Sequence, residues 1–275
     1  MAEPFTFRAG GSPLLVSMPH VGTELPEAVA THMTELAKTV PDTDWHVDRL
    51  YDFLDHLDAS ILAATQSRYV IDLNRAPDDR PLYPGASNTG LCPTTTFDQA
   101  PIYLDGREPD AAEIAARKDR VFRPYHARLG RALAAIVERH GYALLWEAHS
   151  IRSRVPRFFE GRLPELNLGS ASGASADPEL IARLSQVAEI EGAAAGYSYA
   201  LDGRFKGGYI TRSFGDPAQG VHAVQLELSQ ITYMDEAPPF SFRDDLAAGI
   251  RPVLRRLLET ALDWGQGAMG EVTGS

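Results

Sequence analysis

Cysteine is nearly missing from this chain: Cys92 stands alone among 275 residues. A single thiol builds no internal disulfide, so the fold rests on its core and a reducing compartment is the expected setting. Basic charge is also scarce, with 26 Lys and Arg against 37 Asp and Glu and a net charge of −11. That balance argues against nucleic acid as the main partner, because phosphate binding needs a broad basic face. It leaves room for a small acidic ligand, since a few arginines in a cleft create a local positive field. No apolar run approaches the roughly 18 residues that cross a bilayer. MAEPFTFRAG lacks a basic region followed by an apolar one, so no signal peptide is expected. These absences predict a soluble, cytoplasmic protein with no membrane partner. Internal repeats, low-complexity linkers and composition shifts are lacking too, and residues 1–275 read as a single domain.

With 44% hydrophobic residues there is ample material for a core. The run PLLVSMP over 13–19 is strand-like and stops at His20, with Thr23 and Glu24 close behind. ALLWEAHS over 143–150 is a second buried strand, ending in Glu147, His149 and Ser150. Glu147 and His149 are two apart and share a strand face. In an open α/β sheet, ligands bind at such strand ends. VHAVQLELSQ over 221–230 is a third strand, carrying Glu227 among apolar neighbours. A carboxylate there is costly unless it is paired or functional. SILAATQ and RYVIDLN over 60–74 read as two further strands, the second running into Asn74-Arg75. An amide beside a guanidinium suits a carboxylate, whose two oxygens match the fork.

Helical patterns fill the intervals. Pro26 suits the first turn of a helix from Leu25. Asp42, Thr43 or Asp44 can cap a helix whose apolar face is Val47, Leu50, Tyr51, Leu54 and Leu57, yet three acids and a histidine over 42–48 exceed what capping needs. Residues 109–140 form a long helical pattern that Pro124 should kink or divide, with His126 and His140 at its surface or end. NLGSASGAS over 167–175 is small and flexible in composition. Asp177 starts another helix, and Asp244 to Trp264 form the last one. Between them, Gly203 to Arg212 mixes three glycines with Arg204, Lys206, Tyr209 and Arg212, as an anion-binding loop would.

His20, His149 and Glu227, with an acid from the 42–48 cluster, ask for a common purpose. Two histidines and a carboxylate make a hydrolytic zinc site that keeps a position open for water. A further carboxylate that does not touch the metal can take the water proton. A Ser-His-Asp arrangement is weaker, because no Gly-x-Ser-x-Gly elbow is present. Cys92 has no reactive context and reads as a buried spectator.

PLLVSMPHVGTELP, DTDWHVDRLYDF, SRYVIDLNR, TGLCP, LLWEAHSIRS, VPRFFEGRLPELNLG, GRFKGGYITR and HAVQLELSQ together resemble the N-formylglutamate amidohydrolases, from about residue 13 to 236. That family is similar in fold to zinc carboxypeptidases and aspartoacylases. The resemblance implies a three-layer α/β/α domain with a mixed central sheet. It implies His20 and His149 as zinc ligands, Asn74 and Arg75 as the grip on a substrate carboxylate, and Glu227 as the catalytic glutamate. The pattern departs at the middle ligand, since Thr23 stands where carboxypeptidases place Glu. Asp44 is favoured for that role, with Glu24, His46 and Asp48 as rivals. The implied reaction is hydrolysis of N-formyl-L-glutamate to formate and glutamate, closing one route of histidine degradation. Such a dicarboxylate needs a second cationic subsite, for which Arg152, Arg212 and the loop bearing Tyr209 are the candidates. A metallo-amidase or carboxypeptidase for another N-acyl acidic amino acid, and a non-catalytic binder of acidic metabolites, are the alternatives.

Overall fold

The computed structural model describes residues 3–272 apart from 84 and 86. Its centre is a seven-stranded sheet made of β1 (Phe5–Arg8), β2 (Leu14–Met18), β3 (Ser60–Ala64), β4 (Ala143–Ile151), β5 (Leu166–Gly169), β6 (Tyr199–Leu201) and β7 (Val221–Ser229). The spatial order is β1-β3-β2-β4-β7-β5-β6. β3, β2, β4 and β7 are parallel, whereas β1 joins β3 and β5 joins β7 antiparallel. The helices are α1 (Glu27–Ala30), α2 (Glu35–Lys38), α3 (Val47–Leu50), α4 (Ala111–Arg117), α5 (Arg123–His140), α6 (Pro178–Val187), α7 (Tyr209–Phe214) and α8 (Asp244–Val272).

The two-residue period of the strands builds two cores. Leu14, Val16, Leu144, Trp146, Val224 and Leu226 face α6 and α8, meeting Leu184, Leu254 and Leu257. Leu15, Leu145 and Ala223 face the other way, onto Leu129, Leu133 and Ile136 of α5. Helices on both faces of a mixed sheet make the expected three-layer α/β/α fold. The strands β4 and β7 carry the site. On the α5 side of β4, Ala143 and Leu145 pack in the core, and Glu147 and His149 continue the same face. β7 repeats the plan, with Ala223 in the core before Gln225 and Glu227. One stripe on each strand therefore changes from apolar to ionisable where the strand leaves the helix.

Several expectations are corrected. Residues 68–74 form no strand: Val70 N–H donates to Ser67 and Asp72 N–H to Leu91, so their partners are turn and loop carbonyls. Tyr69, Val70, Ile71 and Leu73 are all buried, and the alternation read as one sheet face is a segment enclosed on every side. NLGSASGAS is not wholly loop, because β5 begins it. The last helix runs past Trp264 to Val272. The pattern over 109–140 divides as expected. A π-turn over Lys118–Phe122 separates α4 from α5, and Pro124, lacking an N–H, sits in the first turn of α5.

His126 is also corrected, from the surface to a half-buried position. Its ring stacks on Phe122 with centroids 4.0 Å apart, and Nε2 donates to the Leu73 carbonyl at 2.9 Å. Burial depresses its pKa to about 4, against that hydrogen bond. Between pH 6.5 and 4 the unfolded chain thus binds the extra proton, so stability falls as the pH drops through that window. Going from pH 7 to 5 should cost wild type about 1–2 kcal/mol more than a His126→Gln variant. Urea midpoints at both pH values check this, and identical pH dependence in the two proteins would refute it.

Candidate active site

His20 follows the C-terminal end of β2, Asp44 precedes α3, and His149 and Glu227 lie on β4 and β7. All four are buried. The sheet register sets His149 directly beside Glu227. Both imidazoles turn Nδ1 toward one atom, Asp44 Oδ2, at 3.7 Å from His20 and 3.1 Å from His149. Both turn Nε2 away, to Asp72 Oδ1 at 2.8 Å and to Glu147 Oε2 at 3.2 Å respectively. With a metal bound, the carboxylate behind each ring would hold the proton on Nε2 and leave the Nδ1 lone pair facing inward. Donor atoms of His20, Asp44 and His149 all lie within 4.8 Å of one another. Of the rivals for the middle position, Glu24 and Asp48 are exposed, and His46 Nε2 is bonded to the Phe240 carbonyl at 2.7 Å. Asp42 takes the Tyr69 hydroxyl and the Phe97 N–H.

The electrostatics describe a site short of positive charge. Asp44, Asp72, Glu147 and Glu227 are buried together, while Arg68 and Arg75 are the guanidiniums that approach Asp44 and Asp72. Burial raises the pKa of Asp44 and Asp72, but bonds and charges from the histidines and arginines hold both below the usual carboxylate range. Burial works against a charged His149, yet bonds to Asp44 and Glu147 raise it to about 10. Glu147 Oε1 is buried with no partner among the described residues. Two inward-facing imidazoles, a carboxylate and surplus negative charge form a donor set that fits a divalent metal ion. Glu227 differs: desolvation, with some repulsion from Asp44, lifts its carboxyl to about 7. It is poised to exchange a proton near neutrality.

Asn74 and Arg75 line the same cleft, together with Arg68, Tyr83, Phe158, Arg204 and Gln225. Asn74 Oδ1 accepts from the Ile210 N–H at 2.9 Å, and Nδ2 lies 3.1 Å from His149 Nε2. Gly208 makes this possible, since a Cβ there would stand 2.2 Å from Asn74 Nδ2. Arg75 is anchored on Thr89, with Nε on the carbonyl at 3.0 Å and Nη2 on the hydroxyl at 2.8 Å. Arg152, Arg212 and Tyr209 do not line the cleft. Arg152 pairs with Asp98 at 2.8 Å, and Arg212 Nε donates to the Gly207 carbonyl at 2.8 Å. The Tyr209 ring packs against Phe122 and His126. Sequence reasoning passed over Asp72, Arg68 and Gln225. The signal for Asp72 and Arg68 was a pair of charged residues inside an otherwise apolar run.

Comparison with known proteins places this architecture. The crystal structure of an N-formylglutamate amidohydrolase from Ralstonia eutropha JMP134 superposes with a TM-score of 0.78 at 28% identity, covering 96% of this chain and 98% of that one. A protein from Agrobacterium tumefaciens, 19% identical over 95% of this chain and 96% of its own, shares the fold with a TM-score of 0.71. The fold is that of an α/β amidohydrolase. Two curated relatives, both called N-formylglutamate deformylase, are 55% identical over 97% of the chain in Pseudomonas aeruginosa and 51% identical over 96% in Pseudomonas putida, each covered to 98%. The sequence profile of N-formylglutamate amidohydrolase matches residues 12–234, and the chain belongs to that family.

Proposed function

We propose that this chain hydrolyses N-formyl-L-glutamate to formate and L-glutamate, with His20, Asp44 and His149 holding a zinc ion. The observation that carries the reading is the convergence of both Nδ1 atoms on Asp44 Oδ2, beside a protonatable Glu227. Names of the relatives supply the substrate. When bound, the metal supplies a nucleophilic water at neutral pH and polarises the formyl oxygen. Asp72 and Glu147 keep the imidazoles aimed at it. Glu227 takes a proton from the attacking water as its oxygen bonds to the formyl carbon. The same carboxyl then returns that proton to the amide nitrogen as the C–N bond breaks. Asn74 and Arg75, next to His149, hold one substrate carboxylate and so position the formyl group over Glu227. Arg68, gripped by Asp72 at 2.7 Å, adds a fixed positive charge on the cleft wall. The protein acts as a single cytoplasmic domain at the close of one histidine-degradation route.

Formate release from N-formylglutamate tests the reading directly. Exhaustive chelation should abolish turnover and zinc should restore it. Absence of formate release would discard the substrate, and undiminished turnover after chelation would discard the metal.

A further inference from the structure

Several buried or half-buried arginines of this acidic chain are neutralised by carboxylates. Arg68 pairs with Asp72, Arg117 with Glu113, Arg152 with Asp98 and Arg251 with Asp52. Arg204 lines the cleft and has no carboxylate within ion-pair distance among the described residues. Its guanidinium is nevertheless fixed. Nε donates to the Phe158 carbonyl at 2.7 Å and Nη2 to the Ser87 carbonyl at 3.2 Å. The Tyr83, Phe205 and Phe158 rings lie 5.0, 5.4 and 5.7 Å from its Cζ. A guanidinium carries five N–H groups. These bonds use two, leaving Nη1 and one Nη2 hydrogen as an open fork, the geometry that takes both oxygens of a carboxylate. Burial and the charge of Arg75 both disfavour its protonated form, opposed by Tyr83 and Glu227. Arg204 is thus a cation held in place and in need of an anion.

We infer that Arg204 is the specificity-determining residue for the side-chain carboxylate of the substrate. This assignment rests on the formylglutamate reading above and says why a dicarboxylate is chosen. In an N-formyl amino acid the α-carboxylate is one carbon from the amide nitrogen, so it belongs with Asn74, whose amide lies beside His149. The side-chain carboxylate lies three carbons beyond the α-carboxylate and needs a cation farther out. Arg204 lines the cleft, held on the loops of Ser87 and Phe158, whereas Arg152 is paired with Asp98 and neither Arg152 nor Arg212 lines it.

The test compares N-formylglutamate with N-formylglutamine in wild type, Arg204→Met and Arg204→Lys. The Met variant should raise KM for N-formylglutamate about 30–100-fold while kcat stays within about threefold, the scale of one charge-assisted pair. N-formylglutamine should shift less than about threefold, because it brings no second charge. Lys should restore part of the loss, as a point charge without the fork. Equal losses on both substrates would overturn the inference and leave Arg204 a loop staple. Calorimetry with glutarate and butyrate separates this from the reaction itself. Wild type should prefer glutarate and the Met variant should not, whether or not formate is released. Wild type binding both alike would overturn the inference even with turnover intact.

Discussion

Glu227→Gln is expected to fold, bind metal and lose about 10²–10⁴-fold in kcat, the range of a positioned acid–base group. Gln keeps the shape and hydrogen-bonding capacity of the side chain but carries no transferable proton. Its neighbours ask for nothing more, since among the described residues Gln225 Nε2 at 3.5 Å is the one hydrogen-bond contact of the Glu227 carboxylate. The sign of the pH effect follows from a carboxyl raised to about 7 by burial. As base it must be ionised, so wild-type kcat/KM should climb with pH, with a limb at or below pH 7, because a bound cation favours the carboxylate. That limb should vanish in the variant. Stability should move the other way. A folded pKa above the unfolded value makes the native state lose stability as pH rises from about 4.5 to 7. Metal-free Glu227→Gln should therefore be more stable than metal-free wild type at pH 8, by about 2–3 kcal/mol. A kcat within threefold of wild type would remove Glu227 from the chemistry.

Removing either imidazole should have an effect of similar size through a different cause. His20→Ala and His149→Ala should each lose stoichiometric metal and at least about 10³-fold in activity, because two remaining donors hold a divalent ion weakly. His149→Ala should also be destabilised without metal, since it leaves Asp44 Oδ2 buried with the Ser150 N–H at 3.2 Å as its hydrogen-bond donor. Asp72→Asn provides the graded control. It keeps all three donors and removes the charge behind His20, together with the charge that pairs Arg68 at 2.7 Å, so metal affinity should fall about 10–100-fold while the three donors stay in place. Metal analysis after dialysis, with competition against a chelator, orders the variants. Full metal content in both alanine variants would dismiss the site.

The histidines and Glu227 were legible because each sits where an apolar pattern stops or is interrupted, and strand ends are where sheets deliver side chains, whereas Asp44 stood out only as one of three acids over 42–48, more than a helix cap needs. The three-layer fold was legible for the same reason: apolar strands alternated with amphipathic helices. Asp72 escaped because its segment has the composition of a strand without the pairing. Which carbonyl accepts an N–H is set by distant loops, such as the Leu91 turn. The arginines escaped in a second way. Counting them along the chain located a cationic region, but orientation depends on partners far away in sequence, such as Asp98 for Arg152. Charge density is local, and its neutralisation is not.

β2, β4 and β7 lie in the middle of the sheet, and the groups proposed for chemistry lie on them or border them, whereas Arg75 and Arg204 sit on connections outside it. Amide hydrogens of Leu145 to Ser150 and Ala223 to Leu228 should accordingly exchange with solvent last, at the rate of global opening, and those around Ser87 and Arg204 far sooner. The two halves of the enzyme are then free to drift separately. Exchanging the outer connections would recruit a different acyl amino acid without disturbing the bond-breaking apparatus, while a one-residue deletion in β7 would turn Glu227 to the opposite face and silence every such descendant.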